Sequence, residues 1–267
     1  MISNRASEAL AGGSLIRKMF DEGARMRREL GSDRVYDFSL GNPDLPPPGL
    51  VASAIRELAF DPPPDLHFYM NNAGHEAVRS AIARRIARRT GLPVAASRVL
   101  MTSGAAAGLN AALRVLLDPG DEVLVLAPYF VEYPAYIRNH GGQPVIVPCD
   151  PETFLPDPGR IAAAMTPRTR VLLLNSPNNP SGVIYPAPVL VSVRDALARR
   201  GEELGTRVTV LSDEPYADIV YDGRTVPETL SIFTDMILCT SYSKSLALPG
   251  ERIGYAVVHP GAEDGDR

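Results

Sequence analysis

The chain has 267 residues, of which 45% are hydrophobic and 22% charged, with 22 glycines and 25 prolines, a composition typical of a globular chain with one large α/β core or two smaller domains. The net charge of −4 gives no general attraction to nucleic acid or to anionic membranes. The sequence shows neither the apolar core of a signal peptide nor an apolar run long enough to span a bilayer, so we expect a cytoplasmic protein without membrane partners.

Short apolar runs alternate with helical patterns along the chain. In chain order, the patterns predict strands at 98–102, 122–126, 144–147, 170–174, 208–211, 236–240 and 254–258. They predict helices at 15–30, 76–89, 106–117, 160–165 and 190–200. Strands that alternate with helices favour the α/β class, with a mostly parallel seven-stranded sheet and helices on both of its faces.

Arginine is concentrated in the predicted helix at 76–89. Arg84, Arg85, Arg88 and Arg89 recur there at helical spacing. Aromatic residues do not alternate with these charges, as they often do in nucleic-acid sites, so the pattern favours a solvated helix face and no nucleic-acid partner. The two cysteines and four histidines lack metal-ligand spacing, so we expect free buried thiols and no metal site.

Lysine occurs only at Lys18 and Lys244, whereas arginine occurs 25 times. Lysine, unlike arginine, can lose its proton and attack a carbonyl carbon to form a Schiff base. Lys244 lies in the segment SYSKSLALPGERIGY (241–255), among hydroxyl groups and glycines that directly follow a predicted strand. A surface lysine is the alternative interpretation, but these surroundings favour a reactive one.

Polar and small residues follow the carboxyl ends of several predicted strands, where ligands bind in open α/β sheets. The segment SGAAAG (103–108) opens a helix, where backbone N–H groups can bind a phosphate, although a turn for helix packing fits equally well. The segment NSPNNPSG (175–182) offers the amide of Asn179, although it is also an ordinary turn sequence.

The next two strands are followed by charged groups. Asp213 either caps a helix or holds a proton on a ring nitrogen, and Tyr216 comes three residues later. After strand 236–240 come Ser241, Lys244 and then Arg252, which can bind a phosphate through two hydrogen bonds. Together these groups describe a ligand with a phosphate, a basic ring nitrogen, a phenolic oxygen and an aldehyde. Pyridoxal 5′-phosphate has all four.

With these segments assembled, residues 14–258 closely resemble the class I/II aminotransferases, which are fold-type I pyridoxal-phosphate enzymes. The resemblance is carried by SYSKSLALPGERIG (241–254), including the arginine eight residues after the lysine, and by NNPSG and DEPY in the expected order upstream. It implies an N-terminal arm with part of a small domain at 1–37 and a cofactor-binding large domain at 38–267. It also implies amino-acid and 2-oxo-acid substrates.

The resemblance implies a role for each matching residue. Lys244 would form the Schiff base and move a proton, while Asp213 would keep the ring nitrogen protonated. Tyr216 and Asn179 would hydrogen-bond the phenolic oxygen, with Asn179 also close to the substrate. The rest of the cofactor-binding set, mainly at the phosphate, would be Gly104, Ala105, Ala106, Ser241, Ser243 and Arg252.

Three aromatic or glycine positions also match the family. Phe130, in APYFVEY, would stack on the ring, with core packing as the alternative. Tyr69, in YMNNAG, would reach the phosphate of a neighbouring subunit, which implies a homodimer with shared sites. Gly41, in SLGNPD, would lie in a loop that closes over the substrate.

The chain departs from the family in two ways. Aspartate-specific members often have tryptophan at the position of Phe130, and this chain contains no tryptophan, so a dicarboxylate preference is unsupported. Family members also continue past the segment that matches 254–258, and the continuation completes the small domain and supplies the arginine that binds the substrate carboxylate. We therefore expect an incomplete small domain, either in a fragment or in a natural truncation.

Two alternatives to an aminotransferase stay open at this stage. One is a lyase or decarboxylase that uses the same cofactor, since substrate contacts choose which bond breaks. The other is a cofactor-binding regulatory domain without turnover, which an attached helix-turn-helix would favour.

Overall fold

The computed structural model of the protein describes residues 2, 7, 15–38 and 41–262, with the backbone alone for 15–17. By their contacts the residues divide into two compact units, Met1–Asp44 and Leu45–Arg267. The division at residue 37 inferred from the family stays a prediction, and the last five residues of the chain lie outside the described ranges.

The second unit alternates strands and helices, and the first contributes one long helix. The helices are α1 (Leu15–Leu30), α2 (Gly49–Phe60), α3 (Glu76–Thr90), α4 (Gly104–Leu116), α5 (Tyr133–Asn139), α6 (Pro158–Ala164), α7 (Ala187–Leu204) and α8 (Tyr242–Ser245). The strands are β1 (Val99–Thr102), β2 (Glu122–Ala127), β3 (Gln143–Pro148), β4 (Thr169–Asn175), β5 (Thr209–Asp213), β6 (Met236–Ser241) and β7 (Gly254–Val258). Short 3₁₀ turns cover Ser32–Arg34, Ala96–Arg98 and Thr229–Ser231.

The seven strands form one sheet in the order β1-β7-β6-β5-β4-β2-β3. Every pair among β2 to β6 is parallel, whereas β7 is antiparallel to both of its neighbours. The predicted mostly parallel seven-stranded sheet is therefore confirmed. Because β7 runs in the opposite direction, its first residue, Gly254, lies at the edge where the parallel strands end.

The central strands are apolar on both faces because helices cover both sides of the sheet. On β4, Val171 and Leu173 face one core cluster, which is shared with α4 and α5. Leu172 and Leu174 face the other cluster, shared with α3, α6 and α7. This alternation fixes which strand-end side chains emerge on which face.

The sequence prediction misses α2, α5 and α8, and it misplaces some boundaries. α5 has only seven residues and carries a proline in its first turn, and α8 has four residues, so neither gives a readable periodicity. α4 begins at Gly104 rather than at residue 106, and β1 begins at Val99 because Ala96–Arg98 form a 3₁₀ turn. Across the described ranges, each helix is too short or too polar to cross a bilayer.

Candidate active site

The carboxyl ends of the parallel strands meet at one edge of the sheet. The pairing registers place Asn175 of β4 beside Asp213 of β5, and Asp213 beside Cys239 of β6. Further along the same edge, Gly254 pairs with both Thr102 of β1 and Ser241 of β6. Segments that are distant in sequence therefore converge where the sequence analysis expects a ligand.

Asp213 is buried at the end of β5, and it has one satisfied and one open oxygen. Its Oδ2 accepts a 2.7 Å hydrogen bond from the hydroxyl of Tyr133. Its Oδ1 has no hydrogen-bond partner among the described residues. Burial raises the pKa of Asp213 to about 7, with the Tyr133 hydrogen bond lowering it and the charge of Glu214 raising it further. An unpaired buried carboxylate oxygen is suited to a ligand that brings a proton donor.

Tyr133 is a site residue that the sequence analysis misses. It begins α5, is buried, and lies 80 positions before Asp213 in the chain. The ring of Phe130 meets the ring of Tyr133 edge to face, with centroids 5.5 Å apart. The local sequence gave no periodic signal for Tyr133, because Phe130 precedes the helix that Tyr133 begins.

A chain of amide contacts joins Asp213 to Tyr216. Asn175 Nδ2 donates to the backbone oxygen of Asp213 at 2.8 Å, and Asn175 Oδ1 accepts from the backbone N–H of Asn179 at 2.7 Å. The side-chain Nδ2 of Asn179 lies 3.3 Å from the hydroxyl of Tyr216. Burial, then the charge of Asp213, raises the pKa of Tyr216, while the Asn179 contact lowers it. The predicted neighbours Asp213, Asn179 and Tyr216 are thus brought together.

Gly104 and Arg252 form a second part of the site. Gly104 has φ +77°, and a Cβ built on it would lie 2.6 Å from Nη2 of Arg252, so the guanidinium lies directly over the first residue of α4. Arg252 itself has φ +55° in the left-handed region, which is unfavourable for a residue with a side chain. Its Nη1 donates to the backbone oxygen of Pro249 at 3.2 Å. A positive charge above the N-terminus of a long helix is suited to an anion.

Lys244 lies in α8, the single turn that follows β6. Burial, followed by the charge of Arg252, lowers the pKa of Lys244, which increases the share of neutral amine near neutral pH. Ser241, the last residue of β6, and Ser243, in α8, are both buried, and Ala105 and Ala106 lie in the first turn of α4. Burial, followed by the charges of Glu132 and Asp213, raises the pKa of Tyr136, whereas the charge of Arg252 lowers it.

Two further predicted residues belong to other segments of the chain. Tyr69 is in the loop between α2 and α3 and is fully exposed. Gly41 is an exposed residue of the N-terminal unit. Their roles at a neighbouring subunit's phosphate and in a substrate loop stay predictions.

Comparison with known proteins gives a consistent result. A sequence profile described as aminotransferase class I and II matches residues 33–264. A probable aspartate/prephenate aminotransferase of Thermus aquaticus is 39% identical over 231 residues, which is 86% of this chain and 57% of the relative. An arginine–pyruvate transaminase of Pseudomonas aeruginosa is 38% identical, with 88% of this chain and 58% of the relative covered. The chain thus spans little more than half the length of these curated relatives.

Solved structures agree with the sequence relatives. An amino transferase from Eubacterium rectale has a TM-score of 0.93 at 38% identity, covering 99% of this chain and 67% of that chain. The aspartate aminotransferase of Thermus thermophilus with maleate has a TM-score of 0.80 at 32% identity, and the match covers 95% of this chain and 63% of that chain.

Proposed function

The chain belongs to the aminotransferase class I and II family, and on that premise we propose that the protein is a pyridoxal-phosphate-dependent aminotransferase. It would move an amino group between an amino acid and a 2-oxo acid. The observation that carries this proposal is the buried Oδ1 of Asp213, which lacks a hydrogen-bond partner in the described ranges. Such an oxygen costs about 1–3 kcal/mol unless a ligand satisfies it, and a protonated pyridine nitrogen is a suitable donor.

The other groups at the sheet edge fit the same cofactor. The guanidinium of Arg252 over Gly104 suits a phosphate, with the buried hydroxyls of Ser241 and Ser243 nearby in sequence. The Asn179–Tyr216 pair suits a phenolic oxygen. When bound, pyridoxal phosphate supplies an electron sink that stabilises negative charge on the substrate carbon.

The protein's own contribution is to hold and move protons. Lys244, with its lowered pKa, presents a partly neutral Nζ, which acts as a nucleophile and can accept and return a proton. Asp213, once paired with a cationic donor, is stabilised as the carboxylate and keeps that donor protonated. The hydroxyl of Tyr133 keeps Asp213 in place through the 2.7 Å hydrogen bond.

The relatives favour amino-group transfer over the lyase and regulatory alternatives, since their names describe transamination. One relative is named for aspartate, an acidic amino acid, and the other for arginine, a basic one, and this chain is almost equally identical to both. The proposal therefore specifies the reaction class and leaves the amino acid open.

We include a homodimer in the proposal. α2 has apolar side chains at Leu50, Ile55 and Leu58, yet all three are exposed in the part of the chain that the structure describes. A second copy that covers α2 would remove these apolar side chains from water. A cytoplasmic location is supported by the two cysteines, which are buried free thiols.

The decisive experiment traps the reactive lysine. The protein is incubated with pyridoxal phosphate, reduced with borohydride and digested, and the labelled peptide is identified by mass spectrometry. We expect the label on Lys244, and Lys18 is the internal control because it is the other lysine of this chain. Label confined to Lys18 contradicts the proposal.

The lysine variants complete this test. Lys244→Ala should lower turnover to the uncatalysed level. Lys244→Arg should restore nothing, because a guanidinium stays protonated and cannot act as a nucleophile. A screen of amino donors against 2-oxoglutarate then identifies the substrate.

A further inference from the structure

The tip of β5 carries two consecutive buried carboxyl groups on opposite faces of the sheet. Asp213 faces the candidate site, where Tyr133 contacts it. Ser212 lies on the other face because side chains alternate along a strand. Glu214 is the first residue after β5, and it lies on the same side as Ser212 because its carboxylate accepts a hydrogen bond from the Ser212 hydroxyl.

Glu214 accepts two side-chain hydrogen bonds through one of its carboxylate oxygens, Oε1. Its Oε1 accepts from the hydroxyl of Ser212 at 2.6 Å and also from the hydroxyl of Thr229. Thr229 belongs to the 3₁₀ turn that precedes β6. The side chain of Glu214 thus ties the end of β5 to the segment that leads into the next strand.

The backbone of Glu214 makes a second connection to β6. Its N–H donates to the oxygen of Cys239 at 2.8 Å, and its oxygen accepts from the hydroxyl of Thr240 at 2.8 Å. Cys239 and Thr240 directly precede Ser241 and the turn that carries Lys244. The contacts of Glu214 therefore link the strand end that carries Asp213 to the strand end that carries Lys244.

The charged groups around Glu214 belong to α3 and to the loop between β5 and β6. Arg89 of α3 pairs with Glu228 at 2.7 Å, and Arg85 pairs with Asp218 at 3.3 Å. Burial first raises the pKa of Glu214, the Ser212 and Thr229 hydrogen bonds and the charge of Arg89 lower it, and the charge of Glu228 raises it. The two adjacent ion pairs keep the loop between the strands docked on α3.

We propose that Glu214 is a positioning residue for the reaction: its hydrogen bonds to Ser212, Thr229 and β6 hold Asp213 at a fixed separation from Lys244. It acts through hydrogen-bond geometry and not through contact with the cofactor or substrate. This inference rests on the proposed function. It predicts that a glutamine, which retains the acceptor oxygen at Oε1, will serve nearly as well as the glutamate.

The test compares three variants of the protein. Glu214→Ala removes the acceptor, Glu214→Gln keeps it, and Leu190→Ala is the stability control. Leu190 is a fully buried residue of α7 in the core cluster on the same face of the sheet as Glu214. The measurements are the melting temperature without cofactor, the Kd for pyridoxal phosphate, kcat, and the pH midpoint of the absorbance change of the bound cofactor.

We expect Glu214→Ala to lower kcat at least about tenfold, weaken cofactor binding and move the pH midpoint, because misplacing reacting groups slows a reaction strongly. Glu214→Gln should behave like the wild type. Leu190→Ala should lose melting temperature but keep the midpoint and kcat. If Glu214→Ala does not fold, Thr229→Val removes one donor at nearly constant volume and should change the same quantities in the same direction.

The inference is overturned if Glu214→Ala and Leu190→Ala have equal pH midpoints and equal kcat values. It is also overturned if Glu214→Gln is as impaired as Glu214→Ala. Both outcomes leave the proposed function intact. If Thr229→Val replaces Glu214→Ala, a normal midpoint and kcat in that variant have the same meaning. A wild-type protein that binds no pyridoxal phosphate overturns both.

Discussion

Glu122 and Asp213 are both buried carboxyl groups in the same sheet, but they lie at opposite ends of their strands and differ in how their oxygens are satisfied. Glu122 begins β2, and its Oε2 accepts from the hydroxyls of Thr166 at 2.5 Å and Thr169 at 3.2 Å. Its Oε1 accepts from Arg168 at 3.1 Å. Burial pushes the pKa of Glu122 upwards, but these three donors outweigh burial and the net pKa is lowered.

At Asp213 the effect of burial on the pKa is larger than the effect of hydrogen bonding. A single hydroxyl donor serves its Oδ2, Oδ1 has no partner in the described parts of the chain, and burial raises the pKa to about 7. Burial alone therefore does not identify a functional acid. The open oxygen does, because a structural carboxylate gains stability from every donor it binds, whereas a binding site must leave room for the donor of a ligand.

The largest expected difference between the two acids is in turnover. Asp213→Asn replaces the anionic partner of the ring nitrogen by a neutral amide, so we expect kcat to fall at least about 10²-fold, about 3 kcal/mol in the barrier, with the cofactor still bound. Glu122→Gln should leave kcat unchanged. Steady-state kinetics with cofactor absorbance as the binding check measures both. Normal turnover in Asp213→Asn would show that another group protonates the ring.

The second expected difference is in the pH dependence of stability without cofactor. The pKa of Asp213 is about 7 in the folded state, which is above its value in the unfolded chain. Asp213 therefore destabilises the fold progressively as the pH rises from the unfolded pKa to the folded pKa. Asp213→Asn should therefore gain stability over the wild type between about pH 4 and about pH 8.

Glu122 should give the opposite sign. Its lowered folded-state pKa contributes stability above the unfolded pKa, and this stability is lost as the pH falls through the folded pKa. Glu122→Gln should then be less stable than the wild type at neutral pH and approach it in acid. Thermal melts of the three cofactor-free proteins across the pH range check both signs. If the melting temperatures of all three proteins changed with pH in the same way, the predicted difference in pKa between Glu122 and Asp213 would be wrong.

The smallest expected effect concerns the phosphate end of the site, with two glycines as a matched pair. Gly104 and Gly91 both have left-handed φ values, +77° and +74°, but a Cβ at Gly91 meets no described atom within 4 Å. Both alanine variants should lose about 1 kcal/mol of stability from backbone strain. Gly104→Ala should in addition displace the guanidinium of Arg252 and weaken pyridoxal-phosphate binding about tenfold.

Titrating cofactor into both variants by fluorescence measures this effect. Equal affinities in the two alanine variants would mean that the guanidinium over Gly104 does not contribute to the phosphate site.

The sequence predicts the sheet well and its surroundings less well. The strands at 122–126 and 170–174 could be predicted because they are nearly continuous apolar runs. Such runs are typical of strands in a sheet that is covered on both faces. The site residues after the strands were recognisable because a parallel sheet gathers carboxyl ends at one edge, and because the lysine segment resembles a known family.

Other features depend on tertiary packing and leave little trace in the local sequence. The Tyr133–Asp213 hydrogen bond joins residues 80 positions apart, and the hydrogen bonds of Glu214 depend on where the Thr229 turn docks. α2 has an apolar composition but no buried residue in the described structure, so its packing partner cannot be read from its own pattern.

The strand order also determines when the sheet can be completed during synthesis. β1 is the first strand to leave the ribosome, yet in the described sheet it pairs with β7 alone, which ends at Val258. A nascent chain can assemble β2 to β6 before β7 has been synthesised. Until then β1 has no strand to pair with in this sheet, and α4, which follows β1, cannot take its final position. The turn at Gly104 therefore reaches Arg252 only after nearly all of this chain has been translated, and the late closure of this long loop is expected to limit the rate of folding.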